Sequence, residues 1–478
     1  MARSILILGA GVCGLAAALK ALELDPGARV TLLEADDKPG GLARCLTIRG
    51  QHADLGPHRI HTELPDVKAF LADIAGTEMQ RVARRSRMWL RGQWIEYPPK
   101  PLEVLRALGA ATAMRAGLSP LVESARRLMR PAGGPENFET VMAGAFGSEL
   151  YRLIVMDYTR KVWKTPPSRL HADIARVRVS AGGFRQLVKR VLVPEKEGEE
   201  TALKQFFYLP GGAERLVQLL RARVEAAGGK VVTERSVESI EPIDGGRWRV
   251  VSRGPRGGAR RDTANAVIST IPLPLLLDSL LALRPDKEVA RSREGLVYLA
   301  NFLVGVVVKK RRVTDCQWLY FPGKDTVFNR AYEPRNFSES MGEGDETLLV
   351  AEVTCRPGDK IHGASDAALV ARVKQGLART GLVREADIVD AFVHRIPWVY
   401  PLYDLEYSER LQPVWKYLSH FPGLVSTGRQ GLFLHNNMDH SIHMGFEAAR
   451  CAVEKGAADA PRAFYRNVRR YQQFRIVD

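Results

Sequence analysis

Gly9, Gly11 and Gly14 stand in the spacing G-x-G-x-x-G, between an apolar run, Ser4 to Leu8, and an Ala/Leu-rich stretch, Leu15 to Leu24. The first glycine permits a tight turn. The second lets the backbone approach a pyrophosphate, and the third lets helix and strand pack closely. The start of the helix adds free N–H groups for the phosphate charge. A second apolar run, Arg29 to Leu33, ends in Glu34, 20 residues after Gly14. A carboxylate at that point can accept a hydrogen bond from a ribose hydroxyl. Strand, glycine turn, helix, strand and acid together predict a dinucleotide site.

Gly40, Gly41 and Arg44 follow soon after the acid. This Gly-Gly-x-x-Arg loop resembles the flavin amine oxidase superfamily, in which it touches the diphosphate of FAD. The resemblance implies FAD as the cofactor, with NAD(P)H left open as an external reductant. It also implies that the backbone around Val237 meets the adenine end.

Ala53 to Thr62 holds Gly56-Pro57-His58 and His61. The stretch resembles the Gly-Pro-His loop of UDP-galactopyranose mutases, which lies beside the flavin ring. By that resemblance Gly56 borders the cofactor, and His58 and His61 tune flavin protonation or loop geometry. Tyr158 to Pro167 is similar to the Lys-x-Trp motif of the same enzymes. Their Trp packs near the substrate nucleotide, and Trp163 takes its place here. In them an Arg some distance on grips the substrate diphosphate. Arg178 stands 15 residues after Trp163, with Arg176 expected on the same strand face. The planar fork of Arg suits phosphate oxygens. Arg330 matches the second phosphate Arg of the eukaryotic-type mutases, and Tyr400, in a Tyr-Pro word, is expected to face the substrate.

Near the C-terminus, Gly428-Arg429-Gln430-Gly431 and Asn436-Asn437-Met438-Asp439-His440-Ser441 resemble two further mutase words, a strand and a helix start. These aim donors at the flavin pyrimidine or the diphosphate. Gly428, Arg429, Met438, Asp439 and Ser441 are therefore cofactor candidates, and Asn436 is a substrate candidate. Asp439 and Ser441 also sit where first-turn donors and caps belong. The mutases' phosphate-binding Tyr falls on His435, a departure from the pattern at a substrate-binding position.

The resemblance implies an FAD-dependent oxidoreductase acting on a diphosphate-linked sugar or a related anion. The cofactor carries such chemistry and the protein supplies position and electrostatics. One alternative is redox-neutral pyranose/furanose mutation of a nucleotide sugar by reduced FAD. Arg178 and Arg330 would then stabilise charge on the leaving diphosphate. A second alternative is oxidation or desaturation of a lipid or tetrapyrrole. His58, His61, Arg178 and Arg330 are the catalytic candidates.

Composition bounds these readings. Hydrophobic residues are 45% and charged residues 26% of 478, a globular balance that sets aside disorder, collagen and coiled coil. The formal net charge of +16 favours an anionic partner. Nucleic acid is not expected, because the basic runs 253–261 and 309–312 lack interleaved aromatics. Cys13, Cys45, Cys316, Cys355 and Cys451 form no CxxC pair, which argues against a zinc site and for a reducing cytosol. The histidines are not spaced as ligands, so no metal is expected. No apolar run is long enough for a membrane helix. The basic stretch from Tyr97 to Gly134 is expected to be helical, with peripheral membrane contact as one use.

The elements that must position these groups read as α/β. A Rossmann-like FAD-binding domain with a doubly wound parallel sheet is expected from 1–56, 206–274 and 411–478. A discontinuous α+β substrate domain is expected from 57–205, with the helical insert, and 275–410, with an antiparallel sheet. Gly229 to Ile240 reads as one strand, and Leu424 to Gly431 as another.

Overall fold

The computed structural model describes residues 2–97, 136–178, 205–280, 283, 285–454, 456–474 and 476, with scattered positions between 103 and 119. Most of the expected basic helical stretch from Tyr97 to Gly134 lies outside the described residues.

Five strands make a wholly parallel sheet. Their order is Leu424–Ser426, Ala266–Ser269, Ser4–Leu8, Arg29–Leu33, Lys230–Val232. Ile5 to Leu8 are buried, as are Ala266 to Ser269. Parallel strands are covered on both faces, which is why their apolar runs are continuous. Helix Val12–Leu24 follows the first strand and packs along helix Met438–Glu454. A Cβ at Gly445 would lie 2.5 Å from the carbonyl oxygen of Cys13, so the two helices meet backbone to backbone there.

The expected strand from Gly229 to Ile240 is two strands in different sheets. Lys230–Val232 ends the parallel sheet, and Ser236–Ile243 begins an antiparallel one with Arg247–Arg253 and Ala259–Ala264. Glu234, at φ 56°, makes the break. The other strand read too long stops at Ser426. Gly428, at φ 80°, turns the chain into a short helix, Gly428–Gly431.

A seven-stranded sheet faces the parallel one. Its order is Ile388–Pro401, Tyr298–Val308, Thr347–Cys355, Arg330–Tyr332, Trp318–Tyr320, Ser86–Leu90, Gln93–Glu96. All its pairings are antiparallel except Trp318–Tyr320 with Ser86–Leu90. Strands Tyr298–Val308 and Thr347–Cys355 are buried at every residue. Each Val or Leu so buried contributes about 1.5–3 kcal/mol. Side chains alternate between faces. Phe302, Val304, Val306, Leu349, Ala351 and Val353 pack on helix Asp366–Arg379 through Leu369, Val373 and Leu377. The opposite parity, which includes Asn301, Arg330 and Glu352, therefore turns toward the centre of the molecule.

Three helical pieces close the remaining side. Phe138–Phe146 is started by a capping box between Asn137 and Thr140. A π-helical turn, Tyr151–Met156, leads into Asp157–Trp163, which Lys164 ends at φ 51°. Such turns are rare and widen the arc of side chains a helix presents. Among the described residues, no helix is long and apolar enough to cross a membrane.

Candidate active site

One cavity of about 1650 Å³ lies between the two large sheets and the helices of 138–163. Gly9, Glu34 and Thr270 line it, all at or just beyond carboxyl ends of the parallel strands. Open α/β sheets bind ligands at that edge.

The glycine turn is built as its spacing predicts. Gly9, at φ 95°, donates its N–H to the Leu33 carbonyl at 2.8 Å. A Cβ at Gly14 would lie 2.1 Å from the Gly9 oxygen, so only glycine lets the helix close on the turn. Gly14 accordingly sits beneath the cavity and does not line it. Gly11 caps helix Val12–Leu24 without any side-chain acceptor, which leaves first-turn N–H groups available. Gly40 donates to the Ala10 carbonyl at 2.9 Å, and Gly41 lies beside Gly11. The buried Glu34 carboxylate accepts from Ala10 N at 2.9 Å and Asp36 N at 3.1 Å. Burial pushes its pKa up from the usual carboxylate value. Arg44 pairs with Asp36 at 2.8 Å and donates to the Gly41 carbonyl. Gly56, Val237, Gly428, Arg429, Met438 and Ser441 line the same cavity. Asp439 does not. It is buried beside His440, with Oδ1 lacking a hydrogen-bond partner among the described residues.

These residues fit a flavin dinucleotide. An uncapped helix start, three close-packed glycines and a buried acid converge on one end of a cavity large enough for the whole cofactor. His58 and His61 line it as well, with His58 Nδ1 and His61 Nε2 shielded and without a hydrogen-bond partner among the described residues. Burial lowers both imidazole pKa values, so the rings are held neutral.

The seven-stranded sheet supplies the opposite wall. Met88, Tyr320, Arg330 and Glu352 lie side by side across four strands. Arg330 donates from Nε and Nη2 to the two Glu352 oxygens. Asn301 Nδ2 reaches the same carboxylate at 3.4 Å. Burial works against the charge of Arg330, but Coulombic attraction and hydrogen bonding from Glu352, with the nearby Tyr400, hold it well above its usual pKa. Trp163, Tyr400 and His435 form a ring cluster with centroids 5.6 to 6.1 Å apart. Arg429 bonds the carbonyls of Val399 and Asn436, and Asn436 accepts from Ser441 Oγ at 3.1 Å. Lys161 donates to the carbonyls of Phe321 and Phe328 and to Thr326 Oγ1, which pins helix Asp157–Trp163 to the sheet. Phe138, Met142, Phe146, Leu150, Ile154 and Val155 make an apolar wall. At the far end of the chain, Phe474 stacks on His440 and Ile476 reaches the cavity lining.

Arg176 is not where the sequence placed it. It lies on helix Ala172–Arg178 rather than a strand, and does not line the cavity. Its exposed guanidinium bonds Asp173, one turn back, at 3.1 Å, and also Glu136. Arg178 ends that helix, and its side chain lies outside the described residues. Glu352, Asn301 and Arg84 were missed. For Glu352 a signal existed: it is the one acid inside the apolar run Leu348 to Val353.

The family model for flavin containing amine oxidoreductase matches residues 12–454. The chain belongs to this family. As a flavin-containing amine oxidoreductase it is an FAD-dependent enzyme. Coproporphyrinogen III oxidase of Mycobacterium tuberculosis is 25% identical over 303 residues, 60% of this chain and 63% of that one. The chain thus spans less than two thirds of that relative's length. A probable UDP-galactopyranose mutase of Klebsiella pneumoniae is 29% identical over 184 residues, 36% of this chain and 44% of that one. The crystal structure of a reduced UDP-galactopyranose mutase superposes with a TM-score of 0.81. It covers 100% of this chain and 99% of its own at 23% identity, a likeness of fold.

Proposed function

We propose that this flavoenzyme oxidises an anionic substrate with a bulky apolar body, of the tetrapyrrole or lipid type. The observation that carries this reading is the continuity of the cavity. It runs from the glycine cradle to the wall of Phe138, Met142, Phe146, Leu150, Ile154 and Val155. Apolar walls with few polar groups recognise ligands by shape and burial. The likeness to a coproporphyrinogen III oxidase supports the same substrate class.

Bound FAD would supply the two-electron chemistry. The Gly9–Gly14 turn, Glu34 and Arg44 would hold the cofactor. The apolar wall and the aromatic cluster would orient the substrate and exclude water. His58 and His61, kept neutral, offer unpaired ring nitrogens for a proton leaving the substrate.

A second reading is redox-neutral mutation of a nucleotide sugar. The cluster of Trp163 with Tyr400 and His435 favours it, as does the presence of Arg330 in the same cavity. The neutralisation of Arg330 by Glu352 weighs against it, because a phosphate would have to displace a buried carboxylate. Five free cysteines suit the cytosol. Peripheral membrane contact through the basic stretch from Tyr97 to Gly134 is a further part of the proposal.

The test is anaerobic mixing of the FAD-loaded protein with coproporphyrinogen III, followed by flavin absorbance. Bleaching of the flavin supports oxidation. A parallel incubation of the dithionite-reduced protein with UDP-galactofuranose, read by HPLC, tests the second reading. Conversion to the pyranose there, without bleaching in the first arm, overturns the oxidase proposal.

A further inference from the structure

The cavity lining carries a cation that no step above uses. Each carboxylate of the lining is already matched. Glu34 has two backbone N–H donors, Asp36 has Arg44, and Glu238 has Arg253. Asp278 has Arg293, and Glu352 has Arg330. Other lining arginines are engaged too: Arg235 with the Gly258 carbonyl, Arg395 with Asp366, Arg429 with two carbonyls.

Arg84 differs. Its Nε and Nη1 are shielded from solvent and have no hydrogen-bond partner among the described residues. Its guanidinium lies over the Trp318 ring at 5.5 Å and the Tyr97 ring at 6.0 Å. Aromatic faces hold a guanidinium in place without using its N–H groups. The backbone on either side is clamped by the buried Gln317. Gln317 Oε1 accepts from Arg85 N at 2.7 Å, its Nε2 donates to the Ala83 carbonyl at 3.1 Å, and its own N–H meets the Arg85 carbonyl at 3.0 Å. Two residues on, Ser86 Oγ is a second buried group without a partner among the described residues. A charge fixed this firmly, with its donors unspent, is built for a ligand that is absent from the chain itself.

We propose that Arg84 is an anion subsite of this cavity, where the guanidinium receives an oxyanion of the substrate, a carboxylate or a phosphate. The planar fork suits either group through paired hydrogen bonds. The inference rests on the cavity being the substrate site. It goes further by naming the group recognised and the residue that recognises it.

The test uses the FAD-loaded full chain and two probes, inorganic pyrophosphate and succinate, titrated by calorimetry. The parent protein is expected to bind one of them saturably, and the one bound assigns the group as phosphate or carboxylate. Arg84→Gln should weaken that binding at least tenfold, and Arg84→Lys by less. Arg176→Gln, at an exposed arginine outside the lining, should leave it unchanged. A second measurement needs no variant. The parent is treated with an arginine-selective dicarbonyl reagent with and without the bound probe, and Arg84 is followed by peptide mass spectrometry. Protection of Arg84 supports the subsite. Binding of neither probe, unchanged affinity in Arg84→Gln, or equal modification of Arg84 with and without the probe overturns it. None of these readouts needs turnover. Intact binding at Arg84 with no flavin bleaching would therefore sink the oxidase reading alone.

Discussion

Arg330 and Glu352 face each other in register on neighbouring strands and share two hydrogen bonds, of 2.8 and 2.9 Å. Glu352 is 1% exposed. A buried pair of this kind is costly to break from one side. Glu352→Ala is expected to lower stability by about 3 kcal/mol in urea unfolding. Arg330→Met combined with Glu352→Leu should lose less than the single change. A double variant that loses as much as the sum of the singles would show that the two groups act independently.

Gly14→Ala tests the cradle. The added methyl would stand 2.1 Å from the Gly9 oxygen, so the turn must move. The ratio of flavin to protein absorbance after purification is expected to fall several-fold. An unchanged ratio would remove this turn from the cofactor site.

The two loop histidines set a pH dependence. Burial lowers His58 and His61 below the ordinary imidazole value, which is about 6.5 in an unfolded chain. Below that value the unfolded chain binds protons that the folded one refuses, so stability falls as pH falls. The melting temperature should decline on acidification from about pH 6.5, and His58→Gln with His61→Gln should make the decline shallower. His394 and His440 are lowered by burial in the same way, so a residual slope remains. An identical slope in parent and variant would mean that these imidazoles are not held neutral by the fold.

Lys161→Met removes three hydrogen bonds from one largely buried amine and takes the donor from the Phe321 carbonyl, while the Phe328 carbonyl keeps Thr326 Oγ1. The expected loss is about 2–3 kcal/mol. Lys161 does not line the cavity, so flavin loading should hold. Loss of flavin at unchanged stability would assign it a different task.

The dinucleotide half was legible because its elements are local. Ser4 to Glu34 contains strand, turn, helix, strand and acid in one uninterrupted stretch, and each has its own pattern. The substrate half was less so. Arg330 meets Glu352, and Arg84 meets Trp318, across segments far apart in sequence, and beyond the lone acid of the run Leu348 to Val353 no local pattern marks these contacts. Arg176 was misplaced for another reason. Ile174, Arg176 and Arg178 alternate with small or apolar residues, which reads as a strand. Burial of Ile174 and Ala175 together, and the Asp173–Arg176 pair at helical spacing, decide for a helix. At Glu234 a single left-handed residue divides what periodicity joined.

The parallel sheet takes its central strand from residues near the N-terminus and an edge strand from Leu424–Ser426. On a ribosome the first strand and its glycine turn emerge before Ala266–Ser269, which pairs with that strand, and Leu424–Ser426, which pairs with Ala266–Ser269, follows later still. At about 5–20 residues per second, the wait is on the order of tens of seconds. During that time the Ser4–Leu8 strand has an unpaired edge, a surface on which nascent chains misassemble. Flavin capture thus waits until Leu424–Ser426 has been made, and an edge left open until Ala266–Ser269 arrives is a cost of this topology.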